Sequence, residues 1–292
     1  MSPPLLHETL QLLLNGLVAG TVLAVPAIGF TAIYAVLRFP NFTVASHATI
    51  GAFAGYVANT AWGLPAAPCV ALAFLVAGAA GVLNDEVVLK PLRPSGALTT
   101  AIAAIALSIA LENVLRFVFG NDLRGYALPI RRDWQWSGLR IGPQQVQNFA
   151  MAIVAMGAVF VFLAFTRTGK SMRAVADNPT LAGLKGINAD AVARLVNFVG
   201  MGLAGVGGML IGLDTTIDPL TGFRVILSVF AAAVVGGLGS IPGAVVGALS
   251  IGVAEELSLL ALSPAYRTAV GFVAILLVLT LRPRGILGER AY

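Results

Sequence analysis

The chain has 292 residues, of which 58% are hydrophobic and 11% charged, against about 25% charged in an ordinary soluble protein. A mean hydropathy of +0.90 cannot be enclosed in one soluble core, because a globule must cover itself with polar surface, so the composition defines an integral membrane protein. The excess of 18 Lys+Arg over 13 Asp+Glu fits basic loops beside a lipid surface rather than nucleic acid, and the lone Cys69 with two distant histidines, His7 and His47, points to no disulfide, metal or cofactor.

The leader MSPPLLHE has no cationic n-region, so the first apolar run reads as a span rather than a removable signal. Stretches long enough to cross a ~30 Å hydrocarbon layer as helices fall at about 10–37, 66–88, 97–119, 146–165, 191–213 and 266–282. Residues 47–61 are short for a crossing, and 225–262 are too long for one helix and are interrupted at GGLGSIPG. The expectation is an all-α polytopic membrane protein of about eight segments, one broken or re-entrant near 236–243, forming a single transmembrane domain over 1–292.

Between these spans, Asp85 and Glu86 precede Lys90 and Arg93 as an interfacial charge cluster. Glu112 and Arg116 stand at i, i+4 and can pair on one helix, either as glue between spans or beside a pathway. Loop 121–145 holds Arg124, Arg131, Arg132 and Arg140, and its run RRDWQWSG, with Trp134 and Trp136, suggests a small hairpin near the interface. Loop 166–190 contains MRAVADNPTLAGLKGIN, in which Asn178-Pro179 is a helix start signal. A short amphipathic helix parallel to the membrane fits, either as a solvated linker or as a docking knob.

Placing loop 166–190 in the cytoplasm puts Arg38, Lys90, Arg93, Arg167, Lys170, Arg173, Lys185, Arg282, Arg284 and Arg290 on one side. Arg124, Arg131, Arg132, Arg140, Arg224 and Arg267 fall on the other. The excess of cations inside satisfies the topology rule, with 121–145 extracytoplasmic.

The stretch VVGGLGSIPGAVVGAL, from Val234 to Leu249, looks at first like a phosphate loop. A P-loop, however, needs Lys and Ser or Thr after its last glycine. Here Ala244, Val245 and Val246 follow Gly243, and no cation lies between Arg224 and Arg267. In lipid, spans associate through small residues, and Gly239/Gly243/Gly247, Gly16/Gly20, Gly51/Gly55 and Gly208/Gly212 all have that spacing. Gly236, Gly237 and Gly239, with Ser240 and Pro242, concentrate helix breakers in an uncharged segment. Broken backbone at membrane depth survives where it is buried in protein or lines a cavity. The stretch therefore reads as a break in a transport pathway, or at least in a buried seam.

Glu255 and Glu256 follow beyond the middle of the return segment. A lipid-facing carboxylate there costs a few kcal/mol, so they should face protein or water, and adjacent helical residues, about 100° apart, need separate partners.

Several of these blocks together resemble the permease of branched-chain amino-acid ABC importers. NGLVAGTVLAVPAIGFTAIYAV is similar to that family's first span, EVVLKPLRPSGALTTAIAAIALSI to its next block, and RTGKSMRAVADNPTLAGLKGIN to its coupling loop. IDPLTGFRVILSVFAAAVVGGLGSIPGAVVGALSIGVAEEL with LRPRGILG is the most specific match. The resemblance implies a non-catalytic subunit of the bacterial inner membrane, embedded in lipid. It would act with a second permease, two cytoplasmic ATPase subunits and a soluble solute-binding protein. Arg173, Ala174, Asp177, Asn178, Gly183 and Gly186 would then belong to the ATPase-coupling segment.

Two departures bear on the solute. The family usually has Asn-Phe-Ala-His-Gly and then an acid; this chain keeps Asn41 and Phe42 but continues Thr43-Val44-Ala45-Ser46-His47. Glu112 stands where the family tends to have Gln before Asn113. Asn41, Phe42, Ser46, His47, Glu112, Gly236, Gly237, Gly239, Ser240 and Glu255 are thus the pathway candidates, Glu255 being the carboxylate that matches and Glu256 an addition. The wider family also moves amides, urea and other small carboxylates. A secondary transporter or channel would need no coupling loop, and an intramembrane enzyme would need convergent catalytic groups that the motifs lack.

Overall fold

In the computed structural model, residues 3–128, 132–136, 138–282 and 284–288 are described. Arg131 and Arg290, counted in the loops above, lie outside the described residues. The helices are α1 (Pro3–Leu37), α2 (Val44–Ala61), α3 (Ala66–Asn84), α4 (Lys90–Leu92), α5 (Ala97–Phe119), α6 (Pro143–Phe165), α7 (Arg167–Asp177), α8 (Pro179–Leu184), α9 (Ala189–Asp214), α10 (Thr221–Gly236), α11 (Ile241–Leu257) and α12 (Arg267–Leu281). A π-helical turn, Asp85–Leu89, joins α3 to α4. Strands β1 (Trp134–Trp136) and β2 (Leu139–Ile141) form the expected hairpin.

Six helical stretches are long and apolar enough to cross a membrane: His7–Leu37, Ala66–Ser95, Ala97–Phe119, Pro143–Phe165, Ala189–Asp214 and Ile241–Leu260. α2, α10 and α12 are shorter; at 1.5 Å per residue, the 16 residues of α10 reach about 24 Å. The interrupted segment inferred from the sequence is two helices, α10 and α11, folded against each other as a hairpin.

Helices α1 and α9 form the centre, with most of their apolar windows buried, whereas α5 and α6 expose theirs. Exposed Phe117 and Val118 on α5 and Val154 and Phe165 on α6 are what lipid-facing surfaces require. Around the centre, α1 packs on α9 and α11, α9 on α2 and α3, and α10 on α11.

Small residues make these seams. A side chain at Gly51 would collide with the backbone of Gly205, and one at Gly208 with that of Ala48, so α2 and α9 touch backbone to backbone. The Gly16/Gly20 pair lies against Gly252 and the Ala248–Leu249 backbone of α11. Gly243 and Gly247 face α10 at Gly236 and Ala232, while Gly239 leaves the helical row for the turn.

Polar ties fix the ends. Both oxygens of the buried Asp85 carboxylate accept from Nη2 of Arg93, and Glu86 pairs with Lys90 at 2.9 Å and Arg194 at 3.6 Å. Tyr126 donates to Ala52 O at 2.6 Å, and burial pushes its hydroxyl well up, keeping it a donor.

Candidate functional site

A polar vestibule of about 780 Å³ opens at the end of the molecule that carries the β1–β2 hairpin. On α1 it runs from Gln11, which exchanges two hydrogen bonds with the Arg140 backbone, down to Leu23. That is about 18 Å of helix. Asn15 accepts from Gln11 at 3.0 Å one turn deeper. Helix α6 contributes Gln144 and Gln145, and the end of α9 contributes Asp214 and Thr215.

The charged wall comes from the remaining three helices. Glu255 and Glu256, on the last turn of α11, expose only 9% and 10% of their side chains. One guanidinium serves both. Arg267, at the start of α12, approaches Glu256 Oε1 at 2.7 Å and Glu255 Oε2 at 3.6 Å. The separate partners expected for adjacent helical acids are therefore replaced by one long side chain reaching across both. Ser228 on α10 adds a 2.6 Å hydrogen bond to Glu255 Oε1. One turn above it, Arg224 is held by Asp218 while exposing 56% of its side chain to the same space.

Of the sequence candidates, Glu255 lines this vestibule and the others lie elsewhere. Asn41 accepts from the backbone and hydroxyl of Thr43 at 3.1 and 2.7 Å, starting α2 inside the protein. Ser46 donates to Thr43 O at 2.9 Å. His47 is fully buried: its Nδ1 meets the Thr43 carbonyl at 2.7 Å and must donate, leaving Nε2 to accept from Asn84 at 3.2 Å. It joins α2 to α3. Phe42 packs between Phe30 and Phe230, with ring centroids at 6.4 and 5.7 Å. Glu112 pairs with Arg116 at 2.6 Å on peripheral α5.

The glycine turn sits at the opposite end of α10. Gly236 and Gly243 face each other backbone to backbone. Gly237 (φ +106°) and Gly239 (φ +94°) adopt a conformation open to glycine. Against the turn lies the segment after α12: Ile286 N donates to Val235 O at 2.8 Å and Leu287 N to Gly236 O at 2.9 Å. A Cβ at Gly237 would meet Gly288 N at 2.5 Å, whereas one at Gly239 would meet nothing within 4 Å. Ser240 caps α11 by accepting from Gly243 N at 3.2 Å. The turn is thus filled by residues 284–288, which adjoin the stretch 234–243 in space.

The segment 166–188 is two short helices rather than one. Thr166 caps α7, accepting from Gly169 N at 2.9 Å, and Asn178 caps α8, accepting from Leu181 N at 2.9 Å. Arg173, though exposed, donates to Leu163 O at 2.7 Å, and Ala174 packs beside the core. Asp177, Gly183 and Gly186 are exposed. So are Leu181 and Leu184, at 55% and 81%. This pair lies beside the C-terminal end of α1, where Arg38 donates to Ala176 O, far from the vestibule.

Residue reasoning missed Arg224, Ser228, Glu256 and Arg267 as a group. Arg224 and Arg267 carried a signal as cations flanking apolar runs, yet nothing local brings them to one cavity.

A centre of small-residue seams, lipid-facing outer helices and a charged vestibule open at one end define a multi-pass membrane permease. The chain belongs to the family described as branched-chain amino acid transport system / permease component, which matches residues 12–281. It is 36% identical over 297 aligned positions to the high-affinity branched-chain amino acid transport system permease protein LivH of Salmonella typhimurium, covering 96% of each chain. It is 33% identical to BraD of Pseudomonas aeruginosa, a permease protein of the same description, covering 98% of each. Among solved structures, PsaBC from Streptococcus pneumoniae in complex with Fab aligns at a TM-score of 0.49 and 15% identity, over 94% of this chain and 92% of that one.

Proposed function

We propose that this chain is the membrane-spanning subunit of an ATP-driven ABC importer that moves branched-chain amino acids, or a related small polar solute, across the inner (plasma) membrane. It works as one permease domain over residues 1–292 beside a second permease, with two ATPase subunits below and a solute-binding protein above. The observation that carries this reading is the placement of two surfaces at opposite ends of α1. One end has the charged vestibule; the other has α8 with Leu181 and Leu184 exposed.

The α7–α8 end faces the cytoplasm. It bears Arg38, Lys90, Arg93, Arg167, Lys170, Lys185, Arg282 and Arg284, as the positive-inside rule requires. Arg173 and Asn178 position the coupling helices, and Leu181 and Leu184 touch the ATPase. Soluble linker helices gain nothing from exposing two leucines on one turn, whereas an interface does.

The test is Leu184→Asp in cells expressing the complete importer. Uptake of labelled leucine should fall to background while the permease remains in the membrane, and Leu184→Cys should crosslink to cysteines on the ATPase. Normal ATP-dependent uptake by Leu184→Asp, or uptake that persists without the ATPases, would overturn the reading.

A further inference from the structure

The vestibule's charged wall is unbalanced in a particular way. Two carboxylates, each about nine-tenths buried, share one guanidinium that is itself 38% exposed. Ion-pair closure of the α11–α12 connection needs one acid, and a second acid at this burial costs free energy unless another donor meets it. Glu255 Oε1 has Ser228, but Oε2 meets Arg267 Nε at 3.6 Å, beyond an N–H···O hydrogen bond. Glu255 thus presents an incompletely satisfied oxygen toward a water-accessible space. On the same wall, one turn of α10 from Ser228, Arg224 is paired with Asp218 and still exposes most of its side chain.

We propose that Glu255, Glu256 and Arg224 form a solute subsite for a zwitterion. The ammonium group of an amino acid binds between the two glutamates, with Arg267 as the resident counterion that it displaces, and the carboxylate is received by Arg224. This rests on the permease reading above and adds the residues that recognise the solute. An ammonium brings three donors to carboxylates that now share one cation, and a guanidinium held from behind can receive a carboxylate through its remaining N–H groups. A solute such as urea or an amide has neither an ammonium for the glutamates nor a carboxylate for Arg224, so it forgoes both charge-assisted contacts and the wall selects against it. The solute is held by charge at the mouth, while the apolar side chains of Val22 and Leu23 line the part farther along α1. That arrangement suits an amino acid with an aliphatic side chain.

The experiment uses the complete importer in proteoliposomes with its binding protein and labelled L-leucine. Glu255→Gln and Glu256→Gln are compared with the exchange variant Glu256→Arg/Arg267→Glu, and assembly is read by size-exclusion chromatography. Each Gln variant should assemble and lose uptake by about tenfold or more, the range for truncating a partner of a buried charge pair. The exchange variant re-forms the ion pair, so a purely structural tie would regain uptake. The subsite reading expects it to stay at least about tenfold low. Uptake within twofold of the parent in either assembled Gln variant, or its recovery in the exchange variant, overturns the proposal. Failure of the unaltered importer to take up leucine is a different result; it overturns the permease reading and this inference with it.

Discussion

The two ends of the α10–α11 hairpin are made of opposite materials. At one end Arg224, Ser228, Glu255 and Glu256 leave a space of about 780 Å³ between six helices. At the other, Gly236, Gly237 and Gly243 remove side chains so that backbone meets backbone and the tail seals the turn. Both interrupt an apolar segment, and both look functional on paper. In this structure the break is packed by backbone, and the polar space lies at the other end of the hairpin. Glycine allows close approach, which eliminates space, whereas a cavity needs polar side chains that water or solute can reach.

The comparison breaks most sharply under added bulk. Gly236→Leu would drive a side chain into the Gly243 carbonyl, and the cost of over-packing against rigid backbone exceeds the usual 1–3 kcal/mol for cores. Detergent-solubilised protein should be lost or aggregated on size exclusion, and a stable, monodisperse variant would mean that the hairpin is loosely packed. Deleting residues 284–292 should cost less. It removes the Ile286 and Leu287 hydrogen bonds, each worth about 1 kcal/mol, together with the cover over Gly237. A clear drop in thermal unfolding temperature is expected, and an unchanged one would show that the tail merely rests on the turn.

Two alanine variants sharpen the contrast within the turn. Gly237→Ala meets both positive φ and the Gly288 backbone, whereas Gly239→Ala meets positive φ in open space. The second should lose about 1–2 kcal/mol and the first measurably more, read by thermal unfolding side by side; equal losses would remove the tail contact from the account. Smallest of all is the effect on stability of Asn15→Ala at the vestibule, within about 0.5 kcal/mol for a partly exposed site, although leucine uptake should change. A large stability loss there would mean that the vestibule is packed protein rather than open space.

Much of the architecture was legible because it is written locally. Apolar run length gives the spans, Gly-x-x-x-Gly spacing gives the seams of α1 with α11 and α2 with α9, and GGLGSIPG gives the break between α10 and α11. Asn178-Pro179 gave the start of α8 through a capping chemistry that needs three residues. What stayed hidden is non-local. Gly237 is demanded by Gly288, 51 residues away, and no periodicity links the two. Arg267 reads as a loop cation until α12 is folded beside α11. Glu255 was legible as an interior acid because charge at membrane depth is costly, but its sharing of one arginine with Glu256 depends on side-chain reach. His47 and Asn41 were singled out by comparison with a family pattern; that they tie the start of α2 to itself and to α3 could be seen only in the fold.

The most direct test concerns which end opens to the outside. Cys69 is the chain's one cysteine and is fully buried, so a Cys69→Ala background can carry single reporters. Ala19→Cys lies in the vestibule, and Leu238→Cys sits on the sealed turn with 36% exposure. A membrane-impermeant thiol reagent added to intact cells should label Ala19→Cys and spare Leu238→Cys, and inside-out vesicles should reverse the order. Labelling of Leu238→Cys from outside, or protection of Ala19→Cys from outside under all conditions, would contradict the assignment of the charged vestibule, rather than the glycine turn, as the solute's side of the molecule.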